Sequence, residues 1–268
     1  GRFHVRVEGE GRDIILIPGL SSSPEVWDTT VEHLGAGWRV HRIHIQGFAG
    51  AEVKDNAAGP VAAPVAEDLA RYIREAGLSD PVVVGHSMGG TIAMMLAARH
   101  PDAVSKVMVV DMVPFMGAMF ATPGTNPTAQ AVTPIADQIH AGMLNSPEAD
   151  YRAQAAQTVA AMVRNKAAEP MILADTAASD RTVSANAYRE LIVTDLRPEL
   201  ARITAPTEVV YVPFDFPGMT PETTDMIYRM SFTGLDGVTL TRIDDAAHFV
   251  FLDQPEAFFA RLDAFLGE

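Results

Sequence analysis

Ile14-Ile15-Leu16-Ile17 and Val82-Val83-Val84 are apolar at every position, and Val104 to Val110 is nearly so. Successive side chains of a strand point to opposite faces, so such runs need cover on both sides of a sheet. Between them lie segments of helical spacing. Ser23-Pro24 reads as a cap with proline at the first helical position, opening a helix to about Leu34; Val61 to Ala76 repeats its apolar residues at helical intervals and closes at Gly77. Trp38 to Ile45 supplies another strand, and Phe3 to Val7 alternates like an edge strand. Strand and helix in alternation predict an α/β fold with a mostly parallel sheet flanked by helices.

The rhythm lapses after Pro114. Residues 115–198 are rich in Ala, Met, Pro and Thr, with a loop expected at Thr122 to Pro134 and helices near Pro147 to Lys166 and Ser184 to Leu196. This segment reads as a helical insertion into a core made of 1–114 and 199–268. The α/β pattern resumes with strands at Thr207 to Tyr211 and Val238 to Ile243, and helices at Pro221 to Met230 and Pro255 to Leu266. A chain of 268 residues can bury all of this as one domain with an insertion.

Bulk chemistry narrows the partners. A formal charge of −14 opposes phosphate backbones and anionic lipid, which points to a small-molecule partner rather than nucleic acid or a membrane surface. No apolar run is long enough to span a bilayer, so a soluble protein is expected, either cytoplasmic or exported with a leader removed. With no cysteine there is no disulfide, thiolate nucleophile or cysteine-bound zinc, and no clustered ligand pattern suggests another metal; His41 and His44, three apart on one strand, point to opposite faces.

Chemistry concentrates at Gly85-His86-Ser87-Met88-Gly89-Gly90, where the valine strand meets the buried helix Thr91 to Arg99. In a Gly-x-Ser-x-Gly turn the serine backbone is strained and its hydroxyl stands above the strand ends, while the following helix aims free N–H groups at the same place. A serine needs a base, and the base needs an orienting acid. His248 follows the last predicted strand and so shares the carboxyl edge of the sheet with Ser87. Asp215, after the first strand beyond the insertion, gives the order Ser, Asp, His and is favoured as the acid; Asp111, ending the strand before the insertion, is its rival. Asp244 and Asp245 sit too near His248 in sequence and read as turn residues. Pro18-Gly19-Leu20 follows an early strand, and the N–H groups of Leu20 and Met88 are candidates for an oxyanion hole.

Taken together, these residues resemble the α/β-hydrolase fold family over nearly the whole chain, in the serine esterase-like branch with a helical cap between the sixth and seventh strands. The resemblance implies an eight-stranded-type sheet, Ser87 as nucleophile, His248 as base, Asp215 as the usual acid, Leu20 and Met88 as oxyanion donors, and no cofactor. It departs from many relatives at Pro18-Gly19, where they carry His-Gly, and at Gln46-Gly47-Phe48-Ala49-Gly50, where they carry Asp-x-x-Gly-x-Gly. Phe115, Met116 and Met119 form an apolar run that would line an acyl pocket or serve ordinary core packing. The expected reaction is hydrolysis of small to medium uncharged carboxylic esters through an acyl-enzyme. Lactone or carbon–carbon bond hydrolysis, and a non-catalytic small-molecule-binding role, are the alternatives within the fold.

Overall fold

Each of Ile14, Ile15, Leu16 and Ile17 is fully buried in the computed structural model, which describes residues 1–121 and 125–267. Their strand lies inside a sheet built, in chain order, from β1 (Phe3–Glu8), β2 (Gly11–Ile17), β3 (Gly37–Ile45), β4 (Val82–His86), β5 (Lys106–Val110), β6 (Thr207–Tyr211) and β7 (Thr239–Arg242). The spatial order is β1-β3-β2-β4-β5-β6-β7. Every pairing is parallel except that of β1 with β3. The described residues thus form seven strands, not the eight of the resemblance, and the inserted helices fall between the fifth and sixth.

Side-chain alternation divides the core in two. Ile15, Ile17, Ile43 and Ile45 face one side and pack with α2 (Ala62–Glu75) and α3 (Met88–Arg99). Ile14, Leu16, Val82 and Val84 face the other, against α1 (Asp28–Leu34) and the C-terminal helix Pro255–Leu266. At about 1.5–3 kcal/mol per fully buried aliphatic side chain, this two-sided cover is what a central parallel strand requires. The helix expected from Ser23 begins as a 3₁₀ turn at Pro24–Trp27 before becoming α1.

The segment 115–198 holds α4 (Ala129–Asn145), α5 (Glu148–Met162), α6 (Glu169–Ala178) and α7 (Arg181–Val193). Of the expected loop, Thr122 to Gly124 lie outside the described residues, and from Ala129 onward the chain is helical. Thr128 caps α4, its hydroxyl accepting from Ala131 N at 3.2 Å, and the helix runs through Pro134. Proline there reads as a breaker in sequence, yet α4 carries it as its sixth residue at the cost of one missing N–H and a clash with the Gln130 carbonyl. α6 is not among the expected helices; it carries Pro170 in its first turn, where a missing N–H costs nothing. After β6 come α8 (Pro221–Ser231), the short α9 (Val250–Asp253) and α10, the Pro255–Leu266 helix already noted. Among the described residues no helix is long and apolar enough to cross a membrane.

Buried polar contacts dock this helical segment on the loops at the carboxyl edge of the sheet. The Glu190 carboxylate on α7 accepts from the backbone N–H of Val61, Ala62 and Ala63 at 2.6, 2.7 and 2.8 Å, placing an anion at the positive end of α2. Asp175 on α6 accepts from Ser23 N at 2.8 Å and Ser23 Oγ at 2.6 Å, and its carboxyl titrates above the usual carboxylate range because burial disfavours the charge. Gly47, at φ +91°, faces Val183 so closely that an added Cβ would lie 2.8 Å from a valine methyl. Replacing Glu190 by Ala leaves three helix-end donors without their acceptor. It is expected to cost about 3 kcal/mol, read as a lowered urea midpoint with an unchanged m value.

Candidate active site

Ser87 stands where β4 turns into α3, with φ 54° and ψ −119°, a conformation that L residues rarely adopt. Glycine makes the turn possible on both sides. A Cβ on Gly85 would fall 2.1 Å from Gly89 O, and one on Gly89 would fall 2.2 Å from Ile17 O. The turn is tied down by Ser87 N donating to Val110 O at 2.9 Å, and by Gly90 N and Thr91 N donating to Ser87 O at 2.8 and 3.2 Å. Strain at one serine is thus held by its neighbours' close packing.

The same feature recurs along the carboxyl edge. Ser21 after β2, Ala49 after β3, Asp111 after β5 and Asp245 after β7 all have positive φ, at 56°, 45°, 52° and 57°. Each chain end is bent sharply off the sheet there, and Asp111 is bent toward His248. His248 Nδ1 and Asp111 Oδ2 are 2.6 Å apart. A carboxylate only accepts, so Nδ1–H donates and Nε2 keeps the lone pair in the neutral ring. The other carboxylate oxygen accepts from Tyr228 Oη at 3.1 Å and from Val212 N at 3.3 Å.

The carboxylate on His248 is thus Asp111 and not the expected Asp215. Asp215 is exposed in the loop between β6 and α8. Phe214 N donates to Thr224 Oγ1 at 3.0 Å, and the Phe214 ring packs at 5.8 Å from Tyr228, so the chain is pinned to α8 and the next side chain is sent outward. Asp111 reaches His248 because β5 is the direct neighbour of β4 in the sheet, which places the carboxylate one strand from Ser87.

His248 is brought to the serine turn by its own backbone. His86, the residue before Ser87, is fully buried, and its Nε2–H donates to His248 O at 2.8 Å; the two imidazoles lie 4.6 Å apart. Burial holds the His86 ring well below the usual histidine range, with the nearby His248 as a lesser cause, so it stays neutral. Asp253 steadies the loop from the far side, accepting from Ala247 N at 2.8 Å and from Arg164 N and Asn165 N at 2.9 and 2.8 Å. The histidine loop is therefore tied both to the serine turn and to the end of α5. His86 and Tyr228 were missed from sequence. His86 sits inside the recognised motif and could have been suspected, whereas nothing local marks Tyr228.

Gly19 lies against the same turn: a Cβ there would meet Ser87 Cβ at 3.2 Å and His86 Nδ1 at 3.1 Å. The backbone bonds of this region run from Ser22 N to Gly19 O and from Gly90 and Thr91 N to Ser87 O, leaving the Leu20 and Met88 amides outside them. The expected pocket residues separate. Phe115 is buried in a small cluster with Val132, Ala136 and Ile192 inside the helical segment, Met116 packs between that cluster and the main core, and Met119 is exposed. Phe115 also carries the Arg197 guanidinium over its ring at 4.6 Å. A groove of about 600 Å³ beside them is lined by residues of the helical segment such as Phe120, Val132 and Ile135, and by none of Ser87, Asp111 and His248.

His41 bridges Tyr72 Oη and Asp13, and His44 Nε2–H donates to Phe48 O, so each is engaged within the fold. Among the described residues no group of three His, Asp or Glu is arranged to hold a metal.

A profile of the α/β hydrolase family matches residues 14–262, and the chain belongs to that family. It is 26% identical over 262 residues to a pimeloyl-[acyl-carrier protein] methyl ester esterase of Vibrio cholerae, covering 97% of this chain and 96% of that protein. In structure it resembles an enol-lactonase from Burkholderia xenovorans, with a TM-score of 0.79 and 20% identity over 99% of this chain and 96% of the other. An esterase from Exiguobacterium antarcticum aligns with a TM-score of 0.78 at 17% identity, again over 99% and 96%.

His86 yields a pH prediction. Its folded pKa lies below the unfolded 6.5, so the unfolded chain takes up a proton that the folded chain refuses; stability from this group is present above 6.5 and is lost as pH falls below it. His86→Gln, whose amide nitrogen can replace the Nε2–H, is expected to give a shallower loss of urea stability between about pH 7 and pH 5 than the wild type.

Proposed function

We propose that the protein is a serine hydrolase of carboxylic esters, with Ser87, His248 and Asp111 as its triad and residues 115–198 as the cap over it. The observation that carries this reading is the 2.6 Å contact between His248 Nδ1 and Asp111 Oδ2, in a loop tied by His86 to the strained serine turn. His248 Nε2 takes the Ser87 proton as the hydroxyl attacks the ester carbonyl, and later returns it to the leaving alcohol. Asp111 holds the ring in the required tautomer and stabilises the imidazolium that forms. The Leu20 and Met88 N–H groups receive the oxyanion, and the first turn of α3 adds its positive end. Water then enters by the same base catalysis and frees the acid.

Both the curated relative, which is named for a methyl ester, and the lactonase of like fold break an acyl–oxygen bond, the chemistry this triad is built for. A small uncharged ester or lactone suits a molecule whose formal charge is −14.

Ser87→Ala is expected to abolish turnover of a short p-nitrophenyl ester and labelling by a fluorophosphonate. Equal hydrolysis by variant and wild type would instead favour a binding protein with an idle serine. Asp111→Asn should lower kcat by about four orders of magnitude by presenting the wrong tautomer, whereas Asp215→Asn should stay within about twofold of wild type. Comparable losses in both variants, measured on that ester, would remove Asp111 from the triad.

A further inference from the structure

Asp111 has two oxygens, and His248 uses one. We propose that Tyr228 is a positioning residue for the triad carboxylate: its hydroxyl, donated to Asp111 Oδ1, fixes the carboxylate so that Oδ2 faces His248. This rests on the serine hydrolase reading above and extends it to α8, which carries no residue of the triad.

The geometry is over-determined. Tyr228 is 1% exposed, and its ring stacks on Tyr211 at 3.9 Å with the planes 17° apart, with Phe232 at 6.4 Å beyond it. Buried and hemmed by Tyr211, Phe232 and the Phe214 ring at 5.8 Å, the phenol has little room to swing, so its hydroxyl marks a fixed point for Oδ1 at 3.1 Å. Val212 N, at 3.3 Å, is the longer of the two contacts to that oxygen. The Asp111 backbone is anchored by its N–H donating to Val210 O at 2.7 Å, so what Tyr228 adds is to fix the carboxylate itself, beyond a chain that bends there at φ 52°. Burial together with the Asp111 charge raises the Tyr228 phenol well above its ordinary range, so it remains a donor throughout the working pH of a histidine base.

The stack separates two kinds of tyrosine. Tyr211 turns its hydroxyl away, donating to Asp225 Oδ1 at 2.8 Å, and Asp225 is in turn paired with Arg242 at 2.6 Å. Other charges facing the cluster are few: His86 lies 4.6 Å from the His248 ring and is neutral, while Arg229 and Arg242 act on the Tyr211–Asp225 side. The hydroxyl of Tyr228 is the group that bears directly on Asp111.

Donation to Oδ1 draws negative charge from the carboxylate. Its removal leaves a more basic Asp111, a more stable His248 imidazolium, and so an acidic limb of the rate profile moved toward higher pH. Looser orientation lowers the rate at its plateau as well. For Tyr228→Phe, which keeps the ring, we expect fluorophosphonate labelling of Ser87 to slow about 10-fold at the plateau, with the acidic limb raised by about half a pH unit. Ester KM should change little, since the residue touches no substrate. Tyr211→Phe, which removes a hydroxyl from the same stack, is expected to leave that limb in place.

A second measurement does not depend on the variant folding. Replacing the tyrosines by 3-fluorotyrosine makes each phenol a stronger donor and should move the limb the opposite way, downward. If the wild type labels and Tyr228→Phe labels at the same rate with the same pH dependence, Tyr228 has no positioning role. The proposal fails equally if fluorination leaves the limb still, or if Tyr211→Phe shifts it as far as Tyr228→Phe does. A wild type whose Ser87 does not label at all overturns the serine hydrolase reading itself, and this proposal with it.

Discussion

The close approach of α3 to β4 and β2 is the constraint from which the rest of the site descends. Gly85 and Gly89 let backbone meet backbone at distances where any Cβ would overlap a carbonyl, and Ser87 is forced into a left-handed conformation between them. Relaxing that strain would require α3 to move away from Ile17 O, which would open the core beneath it. The hydroxyl is thus presented by packing, and no hydrogen bond from the serine side chain is needed to keep it there. Because Gly19 also lies against Ser87 Cβ, the same packing brings the loop after β2 against the serine turn.

Around that fixed point the structure gathers its polar groups at strand ends. Parallel strands all deliver their carboxyl ends to one edge, and ligand sites in such sheets form there. Here each of the five strands β2, β3, β4, β5 and β7 is followed by a non-glycine residue at positive φ, so each bends abruptly at that edge. His248 crosses from the β7 end over β6 to reach Asp111 on β5, and His86 secures it from below through its backbone carbonyl.

The helical segment contributes through two carboxylates, one buried and one half-buried. Glu190 binds the first turn of α2, and Asp175 binds Ser23 in the loop that carries Leu20. Taking a carboxylate out of water without hydrogen bonds is costly, and each of these accepts two or three. The helical segment and the loop after β2 are thereby one packed unit, with Gly47 allowing α7 to sit directly on the loop after β3.

Local chemistry was enough to show some of this. The unbroken apolar runs pointed to a mostly parallel sheet because strands covered by helices on both faces carry apolar residues at every position, and the Gly-x-Ser-x-Gly spacing marked Ser87 because only glycine fits beside it. Position after the last strand singled out His248 for the same reason of sheet geometry. The loop expected as far as Pro134 is instead helical from Ala129, with the proline carried inside α4, because a helix held by its cap and packing tolerates one such break. Both candidate carboxylates, Asp111 and Asp215, were visible in sequence because both follow strands; which of them meets His248 turned on which strand neighbours β4 and on Phe214 being anchored to α8. Tyr228 was further still, since its role exists only where a packed helix meets a strand end 117 residues away in the chain. What residues do to their immediate neighbours was written in the order of amino acids. Which distant side chains would share a carboxylate depended on strand order and ring packing, which arise only when the whole sheet closes.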